Sequence, residues 1–307
     1  MTDYTLSESD NTQVKAGSAI TLGQGGARQS SAIRKGWHKL RRRPGALIGA
    51  CILLIFIAVA ILAPVIAPMD PLEISSNRRA APSAEHWLGT DELGRDVLSR
   101  LIYGTRVSLR VGLVAIGIAL TFGSVLGVIA GFVGGWIDSL IMRLTDIMLA
   151  FPGILLAIAV VAVLGPSLFN VMIAVGIESI PAYVRTARGS TLSIKEMEYV
   201  TGARTIGGTP LRIVFRYILP NVAAPLIVLA TIGVAGSILS AAGLSYLGLG
   251  AQPPTAEWGA MLSSARNFVR DAWWMATFPG IAIMLIVLSL NLFGDGLRDI
   301  LDPRMRN

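Results

Sequence analysis

The chain has 307 residues, 53% of them hydrophobic and only 15% charged. That balance is too apolar for a soluble domain of this size and fits a membrane protein. The two histidines, His38 before the first apolar run and His86 after it, cannot meet in the membrane as a triad or a two-His metal site, and the single cysteine, Cys51, rules out an internal disulfide.

In chain order, residues 1–33 are polar and rich in Ser, Thr, Gln and Gly, and are expected to form a disordered arm. The basic cluster Arg34, Lys35, Lys39, Arg41, Arg42 and Arg43 follows and opens a segment, 34–106, that holds the first transmembrane helix and an outer loop. Ala46–Ile66 is the first uncharged run near the roughly 20 residues that a helix needs to cross hydrocarbon. Ala58-Val59-Ala60 mimics a signal-peptidase site and Ile48-Gly49-Ala50-Cys51 a lipoprotein box. Both sit in the wrong place within the apolar run and are read as chance.

In the outer segment Trp87–Gly112, Asp96, Leu98, Leu101 and Ile102 begin an amphipathic helix, with Arg95, Arg100 and Arg106 expected on its wetter side. A core domain is expected over 107–297. Its spans are Val111–Val133, glycine-rich and suited to close helix approach; Ile141–Leu164; Leu168–Val184; Val222–Leu247; and Trp274–Leu292. Asp138, Arg143 and Asp146 cluster at one end of the third span, with Arg143 and Asp146 an i, i+3 pair. Gly294-Asp295-Gly296 reads as a turn, and 298–307 as a cytoplasmic tail. The expected fold class is an all-α membrane protein with six transmembrane helices.

Six spans put both termini on one side. With the N-terminus inside, eighteen lysines and arginines lie on the cytoplasmic side and eight outside, where eight acids match them. This is the bias of cytoplasmic loops. It accounts for the net charge of +7 without nucleic-acid binding.

The most informative stretch is Arg185–Asn221, RTARGSTLSIKEMEYVTGARTIGGTPLRIVFRYILPN, which interrupts the apolar sequence between two spans. Tyr199, Ala203 and Ile206 recur at helical spacing before Gly207-Gly208 breaks the run. Thr209 can then cap a helix with Pro210 in its first turn, along which Leu211, Val214, Phe215 and Ile218 form a stripe. Two short amphipathic helices, the second ended by Leu219-Pro220, form what reads as a docking handle.

The spacing from Thr201-Gly202-Ala203 to Gly207 and on to Leu219-Pro220 resembles the E-A-A loop of ABC importer permeases. Trp87–Gly112 and the ending Asn291–Asn307 resemble the same family, specifically the second, C-type permease of dipeptide, oligopeptide and nickel importers. The resemblance implies a type I ABC importer permease fold in a bacterial or archaeal plasma membrane, with a second permease as heterodimer partner. It also implies two cytoplasmic ATPase subunits, an external substrate-binding protein, and a loop over 186–220 that meets the ATPase.

Glu198, Thr201, Gly202, Ala203, Gly207, Leu211, Phe215, Leu219 and Pro220 are then the expected ATPase-coupling residues. Thr201-Gly202 stands where the family often has Glu-Ala, which leaves two alternatives: Glu196 or Glu198 supplies the acid, or the ATPase partner has changed with it. The chain is not expected to be an enzyme or to hold a cofactor. It has no G-x-x-x-x-G-K-[ST] run, so ATP must bind to another subunit.

The cargo stays open among di- and oligopeptides, nickel, glutathione and opine-like solutes. A rival of a different class is an ion-coupled secondary transporter, which is expected to show inverted repeats and several buried charges. Glu178 is the one acid deep in a predicted span. Burying an acid at a helix centre costs at least about 2.5 kcal/mol, which makes Glu178 a candidate for lining the translocation path. The alternative is a structural acid hydrogen-bonded to a neighbouring helix.

Overall fold

The computed structural model describes residues 44–301. The expected N-terminal arm, the basic cluster 34–43 and the tail beyond 301 lie outside the described residues. Those that are described form helices, turns and one isolated two-residue bridge, with no named strand.

Helix α1 (Pro44–Ile66) has only Ala46, Gly49 and Ala63 buried, so most of its apolar surface faces outward. A β-carbon on Gly49 would come within 2.7 Å of the Ser289 carbonyl oxygen, which marks where α1 rests on the last helix.

Helix α2 (Val97–Val133) starts at Asp96, whose side chain accepts from the Ser99 amide. Gly123, Gly127 and Gly131, four residues apart, form a seam against helix α5 (Leu168–Lys195). A β-carbon on Gly127 would lie 2.5 Å from the Val184 carbonyl oxygen, and one on Gly131 2.8 Å from Thr191 Cβ. Only a backbone without side chains allows this approach, as the glycine content of the span leads one to expect.

The third span departs from the expected straight helix over Ile141–Leu164. It is two helices, α3 (Gly135–Leu149) and α4 (Gly153–Leu164), bent by 92°. Pro152 has no N–H to extend α3 and disfavours helical backbone at Phe151, so the chain turns there and restarts. Among the described residues, five helices, or six spans with this bent pair as one, are long and apolar enough to cross a membrane.

Helix α5 runs eleven residues past the expected end at Val184, through Arg185 and Arg188 to Lys195. Helices α6 (Glu198–Thr205) and α7 (Pro210–Ile213) follow, then a π-helical stretch Val214–Ile218 that leads directly into α8 (Leu219–Tyr246). Leu219-Pro220 therefore does not end a helix. The Leu219 amide donates to Val214 O in the wider π turn, and Pro220, without an N–H, falls in the first turn of α8. Asn221 Nδ2 donates to the Tyr217 carbonyl at 2.6 Å.

Helices α9 (Trp258–Ala265) and α10 (Trp274–Leu301) complete the described chain. The expected turn at Gly294-Asp295-Gly296 is continuous helix. Gly294 serves packing, because a β-carbon there would meet Ile232 Cγ1 at 2.7 Å.

The segments 67–96 and 247–273 build one cap over the same end of the helices. His86 Nδ1 lies 3.1 Å from Asp96 Oδ1, Trp274 Nε1 donates to Thr90 O at 3.1 Å, and Trp258 Nε1 donates to Leu101 O at 3.1 Å. The expectation of wet arginines fails for two of the three. Arg95 and Arg100 are each only 5% exposed, gathered around Asp91, while Arg106 is exposed. A shared buried carboxylate and the carbonyls of Pro71 and Pro254 draw Arg100 inward, which no helical periodicity reveals.

Candidate functional site

At the opposite end of α5 and α8 lies the polar loop, and its hydrogen bonds fix its course. Gly207 has φ +82°, the left-handed conformation that glycine adopts at no steric cost. Its amide donates to Arg204 O at 3.0 Å and that of Gly208 to Ala203 O at 2.9 Å, the paired bonds of a Schellman motif closing α6. Two residues on, Thr209 Oγ1 accepts from the Arg212 amide and Pro210 opens α7. Both halves of the turn are thus capped, as the residue types lead one to expect.

The side chains divide differently from the expected stripes. Val200, Ala203, Ile213 and Ile218 are buried. Ile206, Leu211 and Phe215 are 85%, 72% and 66% exposed, and Met197, Tyr199 and Leu219 stand out as well. Tyr199 and Ile206 therefore do not share the buried face of Ala203, and Leu211 and Phe215 do not share that of Ile218. The π turn between Val214 and Ile218 adds a residue to the helical repeat and rotates the following side chains out of register.

Of the expected coupling residues, Leu211, Phe215, Leu219 and Pro220 fall together on the exposed side. Glu198, Thr201 and Gly202 are exposed on α6, Ala203 points inward, and Gly207 shapes the turn. Beside Phe215, a hollow of about 560 Å³ is lined by Arg212, Arg216, Tyr217 and Pro220. An apolar row rimmed by arginines is the composition of a protein-docking face.

Ion pairs anchor the loop to the bent span. Arg188 donates to Asp138 through Nε at 2.5 Å and through its terminal nitrogen at 2.7 Å, and Arg185 donates to Asp146 Oδ1 at 2.7 Å. Asp146 thus pairs with Arg185 on α5 and not with Arg143 on its own helix. Lys195 Nζ reaches Gly131 O at 3.1 Å. Sequence reading missed this clamp because its partners are about 40 to 60 residues apart. The one available signal is opposite charge, two acids on α3 and two arginines on α5.

Glu178 sits apart from the loop, midway along α5. Its carboxyl crowds Gly153 at the start of α4: a β-carbon there would come within 2.9 Å of Glu178 Cδ. Its Oε2 is buried with no hydrogen-bond partner among the described residues. A carboxyl group at a helix N-terminus meets the positive end of the helix dipole.

Residues 123–307 match the family described as the inner membrane component of binding-protein-dependent transport systems, and residues 31–82 match the N-terminal transmembrane domain of oligopeptide transport permease C. The chain belongs to this family. It is 50% identical to the dipeptide transport system permease protein DppC of Alkalihalophilus pseudofirmus, over 90% of this chain and 91% of the relative. It is 48% identical to the di/tripeptide permease of Pseudomonas aeruginosa over 90% and 94%, and 45% identical to the glutathione permease GsiD of Pectobacterium atrosepticum over 89% and 92%. A chain of the MetNI methionine ABC transporter, solved in inward-facing conformations, shares the fold with a TM-score of 0.53 at 18% identity, covering 66% of this chain and 96% of that one. The protein is a multi-pass permease of an ABC importer.

Proposed function

We propose that this permease carries di- or oligopeptides inward, pairs with a second permease of similar fold, and couples to two ATPase subunits through the face formed by Leu211, Phe215, Leu219 and Pro220. The observation that carries this reading is the exposed apolar row on a loop whose backbone is capped on both sides of Gly207. A water-exposed row of this kind needs a partner, and the rigid caps would let it transmit a push. Glu198 and Thr201, with Gly202 and Ala203, form the neighbouring helix of the same handle. In this orientation both termini and the loop 186–220 are cytoplasmic, ATP hydrolysis belongs to the partner subunits, and the cap over 67–96 and 247–273 faces the substrate-binding protein. Residues 34–106, 107–297 and 298–307 then serve as anchor, core permease and cytoplasmic tail.

Peptide cargo is favoured because the relatives at 50% and 48% identity named above carry dipeptide or di/tripeptide names, while glutathione permeases are about as similar. Glu178, unpaired beside the bend of the third span, is assigned to the translocation path.

Replacing Phe215 by Glu should abolish dipeptide uptake and substrate-stimulated ATPase activity in proteoliposomes, with membrane insertion intact. Ser193→Ala, whose hydroxyl bonds only Gly189 O, should leave both unchanged. Parental transport by the Phe215 variant refutes the coupling role.

A further inference from the structure

At the cap end of the molecule, between the segment that leaves α1 and the first turns of α2, lies a cavity of about 780 Å³. Pro64, Met69 and Pro71 form one wall, and Tyr103, Arg106 and Arg110 the other. Arg106 and Arg110 are one helical turn apart and exposed, and neither has a hydrogen-bond or ion-pair partner among the described residues. The one acid in the lining, Asp70, uses Oδ1 to accept from the Leu72 amide and offsets one of the two positive charges. Elsewhere in the cap the buried arginines are paired: Arg95 with Asp91 and Glu92, Arg100 with Asp91. Arg106 and Arg110 instead open unpaired into the cavity.

Depth in the membrane narrows what fills it. Helix α1 has 23 residues, about 34 Å at 1.5 Å per residue, which matches a hydrocarbon core of about 30 Å and puts its Ile66 end at the headgroup level. Arg110 is the last charge before the uncharged run Val111–Val133, which places it at the same level. Past the arginines, the same face of α2 continues with the exposed residues Leu113, Val114 and Gly117, and among the described residues a β-carbon built on Gly117 meets nothing within 4 Å beyond its own helix backbone. The surface is cationic at headgroup depth and apolar one turn deeper. Guanidinium groups bind phosphate oxygens in paired geometry, and tyrosine is at home at this interface.

We propose that this cavity binds the phosphate headgroup of an anionic membrane phospholipid, with Arg106 and Arg110 on the phosphate and the acyl chains along Leu113, Val114 and Gly117. The site would tie the outer end of α1 to the core through a lipid. It does not depend on the coupling assignment or on the identity of the cargo.

The test uses the complete transporter in nanodiscs of phosphatidylcholine and phosphatidylglycerol, with native mass spectrometry reading the lipids retained on release. The wild type should retain phosphatidylglycerol selectively. Arg106→Gln with Arg110→Gln should lower that selectivity by about thirtyfold, at about 1 kcal/mol per basic residue near a charged lipid surface. Asp70→Asn, which removes the offsetting charge and keeps an acceptor for the Leu72 amide, should raise it. Arg78→Gln, an exposed cap arginine outside the cavity, should leave it unchanged. Unchanged retention in the arginine double variant or in Asp70→Asn overturns the proposal, as does an equal loss in Arg78→Gln. Displacement of the lipid by millimolar inorganic phosphate would mark a site for soluble anions and overturn it too.

Discussion

Gly207 offers the sharpest test of how the loop works, because its cost can be separated into conformation and contact. Its φ of +82° lies in the left-handed region, and a β-carbon built there meets nothing within 4 Å. A β-carbon there therefore clashes with no neighbour among the described residues, and its cost is backbone strain. That strain is about 1–2 kcal/mol for an ordinary residue and larger for a β-branched one. Escaping it means giving up the Schellman bonds from Gly207 to Arg204 and from Gly208 to Ala203, each worth about 1 kcal/mol net.

Either way the loop geometry loses about 1–2 kcal/mol, a factor of about 5–30 in its population, against a total stability several times greater. Gly207→Val should thus insert and assemble normally, while transport and substrate-stimulated ATPase activity in proteoliposomes fall by about fivefold or more. Gly207→Asn, which tolerates the left-handed region, should keep most of both. Parental rates for the Val variant would falsify the coupling role of this turn. Equal damage from Asn and Val would show that side-chain bulk against a partner, and not backbone conformation, is what matters.

Two further outcomes follow from the packing and from the cap. Gly127→Val drives a side chain into Val184 O and Ala187 Cβ, at 2.5 and 2.6 Å from an ideal β-carbon, and should destabilise the protein by about 1–3 kcal/mol in thermal unfolding in detergent. Gly117→Ala, in open space, is the control, and equal melting temperatures for both variants would refute the seam. Glu257, outside the spans, is buried at the start of α9 and held above its ordinary value of 4.5 by desolvation, against the opposing hydrogen bonds from the Gly259 and Ala260 amides. Because its folded-state value is raised, its contribution to stability is full below about 4.5 and is lost as the pH rises through that higher value. Glu257→Gln loses one amide bond and should be less stable at low pH, with the gap to wild type narrowing as pH increases. Parallel stability curves would contradict this.

Much of the molecule was legible in the sequence because the responsible forces act over short stretches of chain. Uncharged runs such as Ala46–Ile66 must be helical in lipid, where every backbone polar group needs an internal partner. Gly207-Gly208 followed by Thr209-Pro210 carries its own backbone instructions, and the structure places a Schellman turn and a capped helix there.

The tertiary structure alone decided what depends on neighbours distant in sequence. Arg95 and Arg100 are buried because Asp91 and backbone carbonyls await them, and Asp146 leaves Arg143 for Arg185 because α5 continues past the expected boundary to bring that guanidinium alongside. Phe215 and Ile218 lie on opposite sides of a stripe that looked continuous. A helical wheel assumes a constant repeat, and the π turn at Val214–Ile218, which leads into Pro220 of the next helix, breaks that repeat at the one place where the exposed face is set.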